Sequence, residues 1–334
     1  MFMTSGEAQI LTHGYCFDGL ASAALATHLL RQLHREVSQV GYRSCGYGPR
    51  LKQIPQAWLG GAVNVLCDFR YVESPRLSYY FDHHATAFAS RGEESTARER
   101  VAKSRGARHL VFDPTYGSCA KLMADAMRDT FSIDVRHLGE LVDWADKVDA
   151  ARFDDPEEAF FARAPALVLA DVTEHHGQST YLGKLAPRLL ERPLEEVATS
   201  EDVRALAAPI AEDKANYLGL IRQAGKRIGD VVLVDLADSV ARPAGKFATY
   251  VAFPDCTYSV AVLRTQEQLK IGVGYNPWSG KPRRHDIAAI CKREGGGGHA
   301  VVGATTFAAT EIDRARQAAS RIVDELGRPG TIKP

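Results

Sequence analysis

The sequence predicts an α/β protein: an N-terminal domain built on a parallel sheet, then a smaller C-terminal α/β domain, with the functional site expected in the cleft between them. Three observations predict this. Short, almost continuous apolar runs alternate with helical spacing through the first part of the chain. The first three runs end in an imidazole or a carboxylate, at His13, Asp68 and Asp82. From Gly229 onward the pattern changes to closely spaced strands followed by one closing helix. A run that is apolar on both faces marks a buried parallel strand, and open parallel sheets build their sites at the carboxyl ends of their strands.

Taken in order, residues 8–13 form the first predicted strand. Residues 18–36 show helical spacing, with Leu20, Ala23, Ala24, Leu30 and Leu33 on one face and Asp18 at the start. Residues 62–69 (AVNVLCDF) and 77–81 are further strands. Residues 91–108 are charged, lack aromatics and contain Gly92 and Gly106, which predicts a mobile loop or a surface helix with little packing. A strand is expected over 108–113 and helices over 116–127 and 137–151, with the stretch Tyr116-Gly117-Ser118-Cys119-Ala120 supplying a helix cap. Residues 157–191 are helical with breaks at Pro165 and Gly177, and 201–227 form a long amphipathic segment. Strands follow over 230–237, 258–263 and 269–275. A helix over 286–294 runs into four glycines, and a strand over 304–307 and a helix over 311–326 complete the pattern. The expected division is a first domain over 1–195, a helical connector over 196–228 and a second domain over 229–334.

The bulk properties narrow the function. A chain of 334 residues exceeds what one core usually organises. Lys+Arg and Asp+Glu both number 41, so no global basic field is available to hold long nucleic acid, although a local basic patch remains open. The six cysteines, at 16, 45, 67, 119, 256 and 291, include no Cys-x-x-Cys pair. They read as reduced thiols, and a cytoplasmic location is expected. No apolar run approaches the ~20 residues of a membrane helix, and residues 1–9 lack a basic-then-apolar signal pattern. Trp58, Trp144 and Trp278 are isolated and read as packing residues.

Three N-terminal pieces carry the chemistry: His13-x-x-Cys16-x-Asp18-Gly19, Cys67-Asp68-Phe69 and Asp82-His83-His84. Imidazole and carboxylate ligands suit borderline and hard divalent metals such as manganese. Asp is seldom buried without a partner, so three strand ends bearing ligand-type residues are poorly explained by packing. His175-His176 is the useful contrast, because no strand precedes it and a surface position is expected. The second feature is Gly295-Gly296-Gly297-Gly298-His299. Four successive glycines can adopt positive φ and turn several N–H groups toward one point, a nest suited to phosphate, with His299 adding a donor. Arg264, Lys270, Arg283, Arg284 and Lys292 lie in the same domain and can add phosphate contacts.

Together these motifs resemble the DHH phosphoesterases over nearly the whole chain. The Asp82-His83-His84 triplet is that family's name motif, and the strand ending in Asp68 is its preceding metal motif. The Gly-Gly-Gly-Gly-His run resembles its C-terminal DHH-associated domain, and Asn276-Pro277-Trp278 and the Cys-x-Asp-Gly form of the first motif resemble one branch with oligoribonuclease and nucleotide phosphodiesterase members.

The resemblance implies two divalent metal ions, with manganese expected. His13 and Asp68 would bind the first, and Asp18, Asp68, His83 and one further Asp the second, Asp68 bridging. The last ligand would come from Asp143, Asp146 or Asp149, with the spacing to Phe153 favouring Asp149 and leaving Asp146 as runner-up. Asp82 would orient His83, His84 would face the substrate phosphate, and residues 116–120 would lie near substrate. Gly296, Gly297, Gly298, His299 and Arg284 would hold the substrate. Cys16 stands where most of the family has Asp. It is either a soft ligand that weakens or alters the metal preference, or a small buried hydrophobe beside the site.

The implied activity is hydrolysis of short phosphorylated nucleotides: oligoribonucleotides, linear dinucleotides or a nucleoside bisphosphate. Open alternatives are a single-strand exonuclease, which would need a basic and aromatic channel, a cyclic nucleotide phosphodiesterase, a polyphosphate hydrolase, or a catalytically silent nucleotide-binding regulator. No membrane partner is expected, and a homodimer is compatible with the sequence.

Overall fold

The computed structural model describes residues 6–46, 54–240 and 242–330. The chain divides into two compact units, Met1–Phe153 with Ala162–Ala207, and Asp154–Phe161 with Ala208–Pro334.

The first unit begins with β1 (Glu7–His13), α1 (Phe17–Leu33) and β2 (Gln39–Cys45). It continues through β3 (Val63–Cys67), β4 (Tyr79–Asp82), α2 (Arg91–Lys103), β5 (His109–Phe112), α3 (Cys119–Asp129) and α4 (Gly139–Asp149). α5 (Pro156–Phe161) belongs with the second unit. The first unit resumes with α6 (Pro165–His176), α7 (Ser179–Glu191), α8 (Leu194–Ala198) and the start of α9 (Glu201–Ala224). Its sheet has the order β2-β1-β3-β4-β5, and every pairing is parallel. β3 and β4 are buried along their whole length, as their apolar runs require. α1 is buried on nearly every side, which its Ala- and Leu-rich sequence permits.

α2 is a helix rather than a loop. Ser90 caps it, accepting from the Glu93 backbone N–H, and only Ala97 is buried. β2 was not expected: it is an edge strand, largely half-exposed, and carries no apolar run. Pro165 stands at the start of α6 and Gly177 just after its end, which is where the helical pattern breaks.

The second unit adds β6 (Gly225–Ile228), β7 (Val231–Val240), α10 (Ala248–Ala252), β8 (Tyr258–Arg264) and β9 (Gln268–Tyr275). α11 (Ile287–Arg293), β10 (Gly297–His299), β11 (Val302–Ala308) and α12 (Ile312–Leu326) follow. Its mixed sheet has the order β10-β11-β9-β8-β7-β6, with β7 and β8 parallel and the other pairs antiparallel. α11 and α12 supply Ile287, Ile290, Ile322 and Val323 to a core shared with Val260, Val262, Ile271 and Val273.

Two expectations about organisation are corrected. The helical connector at 196–228 is not a separate piece, because the division falls inside α9. Its first turns belong to the first unit, where Asp202 pairs with Lys184 and Arg188. Its last turns bury Tyr217, Leu218 and Ile221 in the second unit's core. The helix also ends at Ala224 rather than 227, because residues 225–228 leave it to pair with β7.

The glycine run is likewise not a nest of successive positive φ angles. Among its four glycines only Gly295 (+81°) and Gly298 (+151°) have positive φ, and Gly297–His299 forms an edge strand antiparallel to β11.

Candidate metal centre

Because β1, β3 and β4 are parallel neighbours, their carboxyl ends lie along one edge. That edge brings His13, Asp68 and Asp82 together with the residues that follow each strand. Three groups of ligand atoms result, each within 4.8 Å: Asp68, Asp82, His83 and His84; His13, Cys16 and Asp68; and Asp18, His83 and Asp149. Asp68 belongs to two of them, as does His83.

Each ligand has a local structural reason for its position. Asp18 and Asp68 are buried, at 1 % exposure each. Asp68 adopts φ +53°, a left-handed conformation that Asp tolerates better than most residues and that costs about 1 kcal/mol or more. α1 must start immediately beside the end of β1, and a Cβ at Gly19 would overlap the His13 carbonyl, so the glycine of the first motif is sterically required. The Thr12 hydroxyl ties the same junction by donating to the Gly19 carbonyl at 2.9 Å. Asp18 accepts from the Cys119 and Ala120 backbone N–H groups at 2.7 and 2.8 Å. It therefore also satisfies first-turn donors of α3, while Ser118 caps the same helix by accepting from Lys121 N.

His83 and His84 are held differently from the sequence expectation. Asp82 does not orient the His83 ring. Its Oδ1 accepts from the His84 ring Nδ1 at 2.8 Å and from the His83 backbone N–H at 2.8 Å, and Tyr80 donates its hydroxyl to Oδ2 at 2.9 Å. Tyr80 is two residues earlier on the same strand and so shares a face with Asp82. His83 is oriented instead by the Tyr116 carbonyl, 3.1 Å from Nδ1. A carbonyl can only accept, so Nδ1 carries the proton and Nε2 offers its lone pair, the usual arrangement behind a metal-binding imidazole. Nε2 lies 3.3 Å from Asp149 Oδ2 and 3.8 Å from both Asp18 Oδ2 and Asp68 Oδ1. Asp146 pairs with Arg152 through Oδ2 and, among the described residues, belongs to none of the three ligand groups, although its Oδ1 is buried without a hydrogen-bond partner; Asp143 is exposed elsewhere on α4.

The electrostatics fit a cation. Burial, with the Asp149 charge, pushes Asp18 up to about 7 against the pull of the Ala120 and Cys119 N–H groups. Burial and the neighbouring carboxylates push Asp68 well above the carboxylate range. Asp68 Oδ2 and His83 Nε2 are buried and have no hydrogen-bond partner among the described residues. Leaving such atoms unpaired costs roughly 1–3 kcal/mol each. Clustered carboxylates cannot all ionise at little cost without a positive charge among them. The donor set of imidazole and carboxylate suits a divalent ion of the manganese or zinc type.

A carboxyl whose folded pKa is raised binds its proton more tightly when folded. Its stabilising protonation is complete below the ordinary 3.8 and is lost as pH rises toward 7. Chelator-treated protein is therefore expected to melt at a lower temperature at pH 8 than at pH 5, and added Mn2+ is expected to remove most of that difference. A flat melting temperature across this range without metal would contradict the picture of three crowded carboxylates.

Cys16 is half-buried, with Sγ 4.0 Å from Asp149 Oδ1. Burial and then Asp68, Asp18 and Asp149 raise its thiol well above the ordinary value, which keeps it a thiol rather than a thiolate. Cys16→Asp is expected to tighten Mn2+ binding about tenfold, measured by calorimetry, and an unchanged affinity would assign Cys16 to packing alone. The contrast pair sits elsewhere: His175 is exposed at the end of α6, with Nδ1 2.8 Å from the Asp171 carbonyl. Gly177, not the histidines, abuts Tyr15 in the loop before Cys16. His175→Ala with His176→Ala should leave metal content and turnover within about twofold of wild type, because among the described residues no candidate metal-ligand group includes them. Metal analysis of that double variant checks this.

Of the second-domain residues, His299 and the flanking glycines lie on the exposed edge strand β10. Arg283, not Arg284, reaches the hairpin, donating from Nη1 to the Ala300 carbonyl at 3.3 Å. Arg284 lines a separate cavity with Thr257, Lys281 and Arg328. Trp58 and Trp278 pack against the cores of their own units, and Trp144 lies under the Lys147 ammonium. Among the described residues no helix is long and apolar enough to cross a membrane.

No family model and no curated protein sequence matches this sequence. Solved structures do. A pGpG-specific phosphodiesterase, PggH from Vibrio cholerae, is similar with a TM-score of 0.69 at 18% identity, over 95% of this chain and 99% of that one. The exonuclease RecJ bound to manganese matches with a TM-score of 0.52 at 12% identity, over 95% of this chain and 90% of that one. RecJ from Thermus thermophilus in complex with Mn2+ also gives 0.52 at 12% identity, with this chain spanning 53% of its length. The fold is that of the DHH phosphoesterases, in agreement with the motif resemblance.

Proposed function

We propose that this chain is a divalent-metal-dependent phosphoesterase that hydrolyses short phosphorylated nucleotides. The observation that carries the proposal is the convergence of Asp18, Asp68, Asp149 and His83 with Asp68 Oδ2 and His83 Nε2 left unpartnered. Two divalent ions held by His13, Asp18, Asp68, His83 and Asp149, manganese first among them, would supply positive charge at phosphorus and lower the pKa of water.

The chain's own residues do the rest in this proposal. The Tyr116 carbonyl fixes the His83 tautomer. Asp82 holds His84 and favours its protonated form, chiefly through the direct hydrogen bond. His84 is then placed to donate from its other ring nitrogen to a phosphoryl oxygen as charge develops. His299 and the glycine hairpin of the second unit are proposed to bind a substrate phosphate.

Short substrates are favoured by the balanced charge, 41 basic against 41 acidic side chains. The specificity of one structural neighbour for pGpG makes a linear dinucleotide the leading member of the class. The test is to incubate the purified protein with Mn2+ and a panel of pGpG, di- to pentaribonucleotides, a nucleoside 3′,5′-bisphosphate, a cyclic dinucleotide and a long single strand, and to resolve the products. Mononucleotide release confined to the short linear members is expected. Turnover of the long strand at an equal rate would favour an exonuclease, and binding without turnover of any substrate would leave a regulator.

A further inference from the structure

The second unit contains a cavity of about 330 Å³ that takes no part in the proposed hydrolysis. Its walls include Asp230, Thr257, Lys281, Arg284, His285 and Arg328, drawn from the β6–β7 turn, the approach to β8, the segment before α11 and the end of α12. The residues of the glycine hairpin are not part of its lining.

Its chemistry is one-sided. Lys281, Arg284 and Arg328 bring three positive charges against one carboxylate, Asp230, which pairs with Lys281 at 2.6 Å. Arg284 and Arg328 are exposed and make no ion pair among the described residues. Exposed arginines alone would be ordinary solvated surface. The distinguishing observation is Thr257: the residue is 4 % exposed, and its Oγ1 is buried without a hydrogen-bond partner among the described residues. A buried hydroxyl in that condition carries a desolvation cost.

The surrounding walls are already committed. The Tyr258 hydroxyl accepts from Arg284 N at 2.7 Å, His285 Nε2 lies 3.2 Å from the Arg328 carbonyl, and the two rings pack edge to face. No open aromatic face is left there for a base, whereas the guanidinium groups and the hydroxyl are donors without acceptors. We propose that this cavity binds a small oxyanion, a phosphate or a phosphomonoester, with Arg284 and Arg328 at its mouth and the Thr257 hydroxyl, shielded from solvent in the free protein, turning from the wall to donate to it. Guanidinium groups match phosphate oxygens in pairs, and the hydroxyl gains the partner it lacks. The proposal does not depend on the phosphoesterase reading, since none of its residues belongs to the metal centre.

The test uses the full-length protein freed of divalent ions by a chelator, so that the first unit does not compete for the anion. Inorganic phosphate is titrated by calorimetry against wild type, Arg328→Ala, Arg328→Lys and Thr257→Val. Saturable binding is expected in wild type. Arg328→Ala should weaken it about tenfold, Arg328→Lys should retain most of it, and Thr257→Val should weaken it several-fold. Absence of saturable phosphate binding in wild type would overturn the proposal, as would an affinity unchanged by Arg328→Ala. If Thr257→Val folds poorly, the exposed Arg328 pair of variants decides alone. A second titration with a nucleoside 5′-monophosphate identifies the source of the group: tighter, Arg328-dependent binding than phosphate marks a nucleotide, and equal or weaker binding marks free phosphate.

Discussion

Asp68→Ala is expected to lower kcat/KM on a short nucleotide by at least ~1,000-fold, a loss of roughly 4 kcal/mol of transition-state stabilisation. Metal content should fall with it. The reason is geometric: among the described residues Asp68 alone offers carboxylate oxygens both to the group containing His13 and Cys16 and to the group containing His83 and His84. No neighbouring carboxylate can take both positions. The control concerns the backbone, because Asp68 sits at φ +53° and Ala is penalised there more than Asn. Asp68→Asn should therefore keep a melting temperature close to that of chelator-treated wild type, or above it, because a crowded carboxylate has been removed. It should be as inactive as Asp68→Ala. Near-normal turnover in the asparagine variant would remove Asp68 from the chemistry, and a collapse of the fold in both variants would make its role structural.

Much of this centre was legible because the relevant strands announce themselves. An apolar run that ends in Asp or His has few structural reasons to do so, and three such runs in parallel register place their ends on one edge. What the sequence hid was orientation. The motif resemblance implies that Asp82 orients His83, its neighbour in the chain. The carboxylate instead meets the ring of His84, two positions on, and reaches only the backbone N–H of His83. Nothing in a residue type reveals that Tyr116 contributes its carbonyl rather than its phenol. The second task of Asp18, satisfying N–H groups about one hundred residues away, likewise has no local signal.

The fold shows the same division. Core strands were readable from hydrophobic runs, and the breaks at Pro165 and Gly177 from backbone chemistry. The strands that the sequence does not predict are all edges. β2 is mostly half-exposed, β6 has three exposed residues of four, and β10 is glycine with a terminal histidine. An edge strand is held by backbone hydrogen bonds on one side and need not bury side chains, so the periodicity that betrays a central strand is weak or missing. The domain division is hidden for a different reason. A long amphipathic helix looks like a connector, yet α9 buries one end in each unit.

The hairpin carries the other large expected effect, and its geometry makes the glycines unequal. A Cβ at Gly296 would overlap the Ala304 carbonyl, and one at Gly298 would overlap the Val302 carbonyl at a residue whose φ is +151°. A Cβ at Gly297 would meet nothing within 4 Å. Any substitution at Gly298 must therefore both strain the backbone and push β10 away from β11, whereas Gly297→Ala should be nearly silent. If the hairpin binds a substrate phosphate, displacing it or removing the His299 donor withdraws binding energy remote from the scissile bond, which lowers kcat as well as raising KM. Gly298→Ala and His299→Ala are expected to cut kcat/KM on a linear dinucleotide by about 100-fold, while Gly297→Ala stays within about threefold. A minimal phosphodiester with no second phosphate should be hydrolysed almost equally by all four proteins, and metal content should not change. Equal losses on the dinucleotide and the minimal ester would show that the hairpin is structural support. Damage from Gly297→Ala as severe as from Gly298→Ala would show that the strand pairing described for Gly297–His299 is not the arrangement the substrate meets.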